Sequence, residues 1–283
     1  MNEKINKKFR IVVDSSADIL SLNSVPFAVA PLKIITDTKE YIDDTELDVY
    51  EMVNDLKVYK GKSTSSCPNP DEWLKAFGDS EYIFGVTISG GISGCYSAAK
   101  IAKEIYESTY PNRRVFIIDS LSAGPQEALL VEKLEEMITS GMDFDDICKE
   151  ASEYHKKTRL MFMLESLTNF ANNGRVSVAT AKIAGLLGIC IVGRASVQGT
   201  LETTDKCRGL AKSISAILER IKKDVRQNGK FRIAHCFNES GANRLKDEIL
   251  KRFPFAKVKI YPTRGLCSFY AEKGGLLLGY ETE

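Results

Sequence analysis

Histidine, tryptophan and closely spaced cysteines are scarce in this chain of 283 residues, and each shortage argues against a class of site. The sequence contains two histidines and one tryptophan, and its seven cysteines include no C-x-x-C pair. A zinc site of cysteine and histidine therefore has few candidate ligands, and we expect no metal. Because disulfides are rare in cytosolic proteins, we expect most cysteines to be small, buried apolar residues in a reducing compartment.

Neither a charge excess nor a long apolar run marks the sequence. Lys and Arg number 39 and Asp and Glu 38, which gives a formal net charge of +1. Proteins that bind nucleic acid usually carry a basic domain or stripe, so we expect no nucleic-acid partner. The first ten residues are charged and lack the apolar core of a signal peptide, and the most apolar stretch, residues 183–193, is too short to span a bilayer. We expect a cytoplasmic protein.

Short apolar runs alternate with amphipathic segments in the first half of the chain. The runs at residues 9–14, 82–88 and 114–119 are strand candidates, and the alternation is typical of parallel strands joined by helices. Beyond residue 157 the strand candidates include hairpin-like neighbours, which favours a mixed sheet. We predict an α/β protein with two domains: residues 1–157 with a parallel sheet covered by helices on both faces, and residues 158–283 with a mixed sheet and helices.

Polar clusters follow three of the predicted strands. They are Asp14-Ser15-Ser16, residues 89–93, and Asp119-Ser120. Ligands of open parallel sheets lie beyond the carboxyl ends of the strands, so these clusters are expected at one edge. A fourth cluster, residues 62–73, is predicted to form a loop whose hydroxyls reach the same edge. Such residues also cap helices and shape turns, but four clusters at one edge favour a ligand.

The segment "SGGISGC", residues 89–95, precedes a predicted helix, and helix N-termini hold anions. It lacks the lysine of a P-loop, and Ser89 stands where G-x-G-x-x-G requires a glycine, which argues against a nucleotide. A serine hydrolase with Ser93, Asp119 and His235 is an alternative. Ser93 lies several residues past the strand, however, whereas a nucleophile elbow follows its strand directly. A carboxylate is the third candidate, because hydroxyls and helix N–H groups bind it without a basic side chain.

Six segments in sequence order resemble the successive signature blocks of the DegV family, and the resemblance runs from Ile11 to Tyr280. They are "IVVDSSADI", "TSSCPNPDEW", "SGGISGCYSAA", "VFIIDS", "NNGRVS" and "GKFRIAHCFNE". The resemblance implies a protein that binds one long-chain fatty acid between its domains, with no catalytic residue and no cofactor. It also implies that the acyl chain is presented to the catalytic subunit of a fatty acid kinase, which makes acyl-phosphate.

The family's T-S-Q-P loop matches Ser65-Ser66-Cys67-Pro68, and its L-S-G-T segment matches residues 92–95. Ser65 and Ser93 are therefore the implied carboxylate contacts, with Thr64 as the alternative to Ser65 if the register shifts by one. The wider set implied around the carboxylate also includes Ser66, Gly94 and Ser268.

The chain departs from the family near its C-terminus. A histidine that lies near the head group in the family is replaced by Ser268, so its role is absent or transferred to Ser268 or Tyr270. The small-residue segment before residue 193 is expected to line the acyl cavity, through Ile183, Leu186, Leu187 and Ile189. Arg175 is expected near the cavity entrance, where it engages a partner or makes transient contact with a membrane surface. Two alternatives stay open: a serine hydrolase or acyl-transfer enzyme using Ser93, and a lipid sensor that does not transfer its ligand.

Overall fold

The computed structural model describes residues 8–184 and 188–283, without the side chain of Ile183. The strands are β1 (Phe9–Asp14), β2 (Phe27–Ala30), β3 (Lys33–Ile35), β4 (Glu40–Ile42), β5 (Thr64–Ser66), β6 (Tyr82–Thr87), β7 (Arg114–Asp119), β8 (Thr158–Leu164), β9 (Ile189–Ala195), β10 (Leu201–Arg208), β11 (Lys230–His235), β12 (Lys257–Pro262) and β13 (Leu276–Glu281). The helices are α1 (Val49–Val58), α2 (Pro70–Phe77), α3 (Cys95–Thr109), α4 (Pro125–Thr139), α5 (Phe144–Lys156), α6 (Thr168–Asn172), α7 (Val178–Ala184), α8 (Leu210–Ile221), α9 (Glu239–Arg252) and α10 (Gly265–Ala271).

The N-terminal part contains a four-stranded sheet of order β2-β1-β6-β7, and all of its pairs are parallel. Strand β1 is apolar on both faces, as expected for a strand buried between two layers of helices. Its side chains alternate: Ile11 and Val13 pack with α4 and α5, whereas Val12 packs with α2 and α3. The prediction of a parallel sheet with helices on both faces is confirmed.

A separate antiparallel sheet of order β4-β3-β5 lies between the second and third strands of the parallel sheet in sequence. Its strand β5 occupies part of the segment that we predicted to be a loop, and α2 begins at Pro70 in the same segment. The loop prediction is therefore wrong. Asn69 caps α2 by a reciprocal pair of hydrogen bonds with Glu72, a strong local start signal that the prediction overlooked.

The C-terminal part contains a six-stranded sheet of order β10-β9-β8-β13-β11-β12. Only β11 and β12 pair in parallel among these strands, and the other neighbours are antiparallel, so the predicted mixed sheet is confirmed. Helices α8 and α9 cover one face of this sheet and form a core with it. The opposite face is turned towards the N-terminal part.

Helix α4 lies between the two large sheets and packs against strands of both. It approaches β13 so closely that a Cβ at Gly279 would lie 2.5 Å from the backbone of Pro125, which explains the glycine at this position. Glu132 of α4 accepts a hydrogen bond of 2.7 Å from the buried Arg232 of β11. Although burial works against its ionisation, Arg232 and Lys259 lower the pKa of Glu132 below its ordinary value. The boundary at residue 157 stays a prediction.

Helix α10 belongs to the C-terminal part in sequence but is anchored on the N-terminal part. The buried carboxylate of Asp43 accepts hydrogen bonds from Gly265 N (2.8 Å) and Leu266 N (2.7 Å), and so satisfies the first N–H groups of the helix. A Cβ at position 265 would lie 2.7 Å from this carboxylate, so the contact requires glycine. Because α10 contacts both parts of the chain, a side chain of this helix can reach residues of the N-terminal part, as Tyr270 reaches Ser65.

In the described ranges 8–184 and 188–283, no helix has both the length and the apolar character needed to cross a membrane.

Candidate functional site

A cavity of about 810 Å³, including the space at its opening, lies between the parallel sheet and the mixed sheet. Leu160, Phe162 and Leu164 of β8 form one wall. Side chains alternate along a strand, so these three share one face while Met161 and Met163 point into the core on the other. At about 3.3 Å per residue, the three extend the wall over about 13 Å, which suits an elongated apolar ligand.

The remaining apolar lining comes from both parts of the chain. The N-terminal part contributes Leu32, Ile88, Ile92 and Ala123, and the C-terminal part contributes Phe170, Ala195, Leu201, Leu266, Ala271 and Leu277. The cavity is thus bounded by residues that are far apart in sequence and meet only because the two sheets face each other.

Four polar side chains of this lining form what we call the hydroxyl end: Ser65, Ser93, Arg175 and Tyr270. Ser122, whose buried hydroxyl has no hydrogen-bond partner among the described residues, and Thr200 also line the cavity. The hydroxyl oxygens of Ser65 and Tyr270 lie 2.7 Å apart. The guanidinium of Arg175 lies 6.0 Å from the centroid of the Tyr270 ring, and its Nε donates to the carbonyl of Ile92 at 3.3 Å. Since Ser93 follows Ile92 directly, all four side chains belong to one neighbourhood.

Strand β5 decides which of its hydroxyls faces the cavity. Ser65 lines the cavity, whereas Thr64 and Ser66 lie outside the lining, as alternation along a strand requires. The hydroxyl of Ser66 donates to the carbonyl of Cys67 at 3.3 Å. Of the two candidates left open by the sequence, Ser65 lines the cavity and Thr64 does not.

Ser93 lies in the loop that leads from β6 into α3. Its backbone N–H donates to the carbonyl of Ser89 at 3.1 Å, and its hydroxyl oxygen accepts from the N–H of Cys95 at 3.3 Å. The hydroxyl also lies 3.2 Å from the sulfur of Cys95. Gly94, the N-cap residue that precedes α3, is exposed and lies outside the lining. The Ser93 hydroxyl therefore stands at a helix N-terminus, where an anion is favoured.

Ser268 and Tyr270 were the two candidates for the role of the missing histidine. Ser268 is 2% exposed, its hydroxyl lies 2.7 Å from that of Thr263, and it is not part of the lining. Tyr270, two residues further along α10, lies at the hydroxyl end. Ser268, expected as a carboxylate contact, does not line the cavity, because its side chain is turned into a hydrogen bond within the C-terminal part.

Of the four residues expected to line the acyl cavity, Ile183, Leu186, Leu187 and Ile189, the structure describes the side chain of Ile189 alone. Leu186, Leu187 and the side chain of Ile183 lie outside the described residues. Ile189 is half-buried and is not part of the lining. It begins β9, whereas the cavity is reached by Ala195 at the other end of that strand, about 20 Å away at the usual rise.

Arg175 lies in the turn that follows α6. Its N–H donates to the carbonyl of Phe170 at 2.8 Å, and its guanidinium donates to the carbonyl of Asn173 at 2.6 Å. Asn173 in turn donates to the carbonyl of Ser63, next to β5, at 3.2 Å. Arg175 is half-buried and lines the cavity, so it is part of the site itself.

The hydrolase arrangement is not assembled. His155 Nε2 lies 2.8 Å from the carbonyl of Ser120, and the ring of His235 accepts from Asn238 N at 3.4 Å. Asp119 accepts from the N–H groups of Gly90 (3.1 Å) and Leu121 (3.0 Å). Within residues 8–184 and 188–283, Ser93 makes no hydrogen bond to a histidine.

The first polar cluster is turned inwards, away from the lining, and forms a buried carboxyl pair that the sequence did not reveal. The hydroxyl of Ser16 lies 2.6 Å from a carboxyl oxygen of Asp14 and 2.6 Å from one of Glu127, and all three residues are buried. A hydroxyl has a single proton, so one of the two carboxyls must itself donate and is protonated. Burial raises the pKa of both acids, and Glu127 is raised further by the neighbouring Asp14.

Asp14 ties this pair to the cavity, since its other oxygen accepts from the N–H of Ile88, a lining residue, at 2.8 Å. The part of the chain that the structure describes contains no group of three or more His, Cys, Asp or Glu side chains arranged to hold a metal ion.

Fold and site together define a class: an α/β protein with an apolar cavity between a parallel and a mixed sheet, closed at one place by hydroxyls and an arginine. The model of the DegV family, whose description reads "uncharacterised protein", matches residues 8–283. The chain belongs to the DegV family. A DegV domain-containing protein of Streptococcus gordonii is 41% identical over 277 residues, which is 96% of this chain and 99% of that protein.

Two solved structures of high similarity contain fatty acids. A DegV family protein from Eubacterium eligens loaded with heptadecanoic acid has a TM-score of 0.95 and 42% identity, covering 97% of this chain and 100% of that one. The fatty acid kinase (Fak) B3 protein of Streptococcus pneumoniae, loaded with linoleic acid, has a TM-score of 0.95 and 40% identity, covering 97% and 99%.

Proposed function

We propose that this protein binds one long-chain fatty acid, with the acyl chain in the cavity and the carboxylate at the hydroxyl end. The observation that carries the proposal is the distribution of polarity: apolar side chains from both sheets form the walls, and hydroxyls and an arginine meet at one place. That distribution matches the shape and chemistry of a fatty acid. The fatty-acid-loaded relatives from Eubacterium eligens and Streptococcus pneumoniae support it.

The carboxylate would accept hydrogen bonds from Ser65, Ser93 and Tyr270. In the present geometry Ser65 and Tyr270 share one hydrogen bond of 2.7 Å, and hydroxyl protons rotate freely enough for each to donate to a ligand instead. Arg175 supplies the positive charge, and the N-terminus of α3 adds the dipole of its first turn. Hydrogen bonds to a charged group contribute about 1.5–3 kcal/mol each, so the carboxylate fixes the orientation of the ligand.

The acyl chain would supply most of the affinity. Roughly 10 buried methylenes at about 0.8 kcal/mol each give about 8 kcal/mol gross. Association costs of about 4 kcal/mol or more reduce this sum. A fatty acid is therefore favoured over a small carboxylate, which would use the hydroxyl end alone.

We further propose that the protein is a carrier, which presents the acyl chain to the catalytic subunit of a fatty acid kinase for acyl-phosphate formation. The similarity to the Fak B3 protein of Streptococcus pneumoniae supports this step. The absence of a histidine beside Ser93 argues against the serine hydrolase. A lipid sensor remains the alternative to a carrier, and it differs only in never passing its ligand to an enzyme.

Native mass spectrometry of the purified protein tests the binding proposal. The expected result is one bound fatty acid per chain, removed by delipidation and restored by added oleic acid. The carrier proposal is tested by adding the loaded protein to a fatty acid kinase catalytic subunit with ATP, where we expect acyl-phosphate only in the presence of this chain. Binding without acyl-phosphate would favour the sensor, and ester hydrolysis that disappears in Ser93→Ala would favour the hydrolase.

A further inference from the structure

Two cysteines that are far apart in sequence meet beside the hydroxyl end. Cys67 directly follows β5, which carries Ser65, and Cys95 is the first residue of α3, two positions after Ser93. A Cβ at Gly94 would lie 3.1 Å from the Cys67 sulfur, so this sulfur rests on the backbone that leads into Cys95. The Cys95 sulfur in turn lies 3.2 Å from the Ser93 hydroxyl.

The two thiols differ in exposure and in ionisation. Cys67 is half-buried, whereas Cys95 is 0% exposed. The neighbouring Cys95 thiol, together with the N–H groups of Cys67 and Gly94, lowers the pKa of Cys67 to about 6 in spite of burial. Burial and the neighbouring Cys67 raise the pKa of Cys95 well above its ordinary value. An accessible thiolate thus stands beside a protonated thiol, which is the arrangement of an oxidisable cysteine with a resolving partner.

We propose that Cys67 and Cys95 form a disulfide when the protein meets a peroxide, and that this disulfide slows the exchange of the fatty acid. The inference rests on the proposed function, because it concerns the same carboxylate site. The Cys67 thiolate attacks the peroxide and becomes a sulfenic acid, with release of hydroxide. The Cys95 thiol then attacks the sulfenic sulfur, forms the disulfide and releases water, so that two thiols are oxidised and the peroxide is reduced.

The cross-link acts on ligand exchange because it joins the two segments that hold the carboxylate. Ser65 is two residues before Cys67, and Ser93 is two residues before Cys95, so the disulfide ties both hydroxyls to one covalent loop. Release of the ligand requires these segments to separate from the carboxylate, and a covalent tie between them opposes that motion. The dithiol form remains free to exchange its ligand.

The test uses the full chain, loaded with oleic acid and treated with hydrogen peroxide or with dithiothreitol. Peptide mapping is expected to find a Cys67–Cys95 disulfide in the folded protein. Release of oleic acid to excess albumin is expected to be about tenfold slower in the oxidised form, equivalent to about 1.4 kcal/mol of barrier. Dithiothreitol should restore the faster rate.

The chain offers matched controls. Cys67→Ser should abolish the effect of peroxide, and Cys67→Ala serves as a second variant if the first does not fold. Cys190 is a free cysteine that lies opposite Cys207 in the register of β9 and β10, away from the hydroxyl end. Cys190→Ser should therefore leave the peroxide-induced slowing of oleic acid release intact. Absence of the Cys67–Cys95 disulfide, or its formation with an unchanged release rate, would overturn the inference. A reduced protein that binds no oleic acid would instead overturn the proposed function.

Discussion

Ser65 and Ser66 are neighbouring hydroxyls on opposite faces of β5, which makes them a matched pair for testing the carboxylate contact. Ser65→Ala and Ser93→Ala are each expected to weaken fatty acid binding by roughly 10- to 150-fold, because each removes a hydrogen bond to a charged group. Ser66→Ala should leave the affinity unchanged, since its hydroxyl bonds to the adjacent carbonyl. Titration calorimetry with oleic acid measures all three. Equal affinities in the Ser65 and Ser93 variants and in the unaltered protein would contradict the carboxylate contact.

Glu127 tests the buried carboxyl pair through the pH dependence of stability. Burial raises the pKa of Glu127 well above its ordinary value, so the folded protein keeps a proton that the unfolded chain has released. The free energy of unfolding should therefore fall as the pH rises from the ordinary glutamate range, about 4.3, towards the higher pKa of the folded state. Glu127→Gln mimics the protonated acid and should flatten this dependence.

Urea unfolding at several pH values between about 5 and 8 measures the difference, with the exposed Glu150→Gln as the matched control. The control should retain the slope of the unaltered protein. An identical slope in Glu127→Gln would show that the pair does not hold a proton.

The resemblance to the DegV family implied Ser65 and Ser93 as carboxylate contacts, and both residues line the cavity. Each lies in a continuous segment, so local residues define its setting. Tyr270 and Cys67 were harder to assign, because their partners come from the fold: Tyr270 meets Ser65 across 205 positions of sequence. Ser268 and Tyr270 are only two residues apart, and the orientation of α10 alone separates their environments.

Strand β8 forms one wall of the cavity through alternate residues, Leu160, Phe162 and Leu164. Leu160 lies at one end of these three. Leu160→Trp should fill that end of the cavity. Displacing about two methylenes of an 18-carbon acid costs about 1.6 kcal/mol, or roughly 15-fold in affinity, whereas shorter acids should bind unchanged. Competition binding across a series of acids checks the prediction.

Met161→Leu is the control on the opposite face of β8, because a swap of similar volume within the core should leave the chain-length preference unaltered. An equal loss at all lengths in Leu160→Trp would mean that the strand does not form the wall of an acyl channel.

Strands β1, β6 and β7 and helices α3 and α4 could be predicted from the sequence, because short apolar runs and amphipathic periods leave clear patterns, whereas β2 was not among the strand candidates. The antiparallel sheet of β3, β4 and β5 could not, since strands of three residues are too short for alternation to appear. Ile189 was misassigned for a related reason. An apolar segment reveals burial, but which end of its strand reaches the ligand depends on the topology of the sheet.

For the whole molecule, the packing of α4 between both sheets predicts that the two parts unfold together. The chain has one tryptophan, Trp73, which is buried in the N-terminal part, so its fluorescence reports that part alone. Far-ultraviolet circular dichroism reports all helices and strands. We expect the two signals to follow coincident transitions in urea, as two-state unfolding requires. Separate midpoints would show that the parts are independently stable.

The central claim is that the acyl chain lies in the apolar cavity and the carboxylate at the hydroxyl end. It is tested most directly by measuring affinity as a function of chain length. Dissociation constants for saturated fatty acids from 8 carbons upwards should fall by about fourfold per added methylene, since each contributes about 0.8 kcal/mol, until the cavity is full. The matching fatty alcohols should bind more weakly at every length. A flat dependence on chain length, or equal binding of acids and alcohols, would contradict the account.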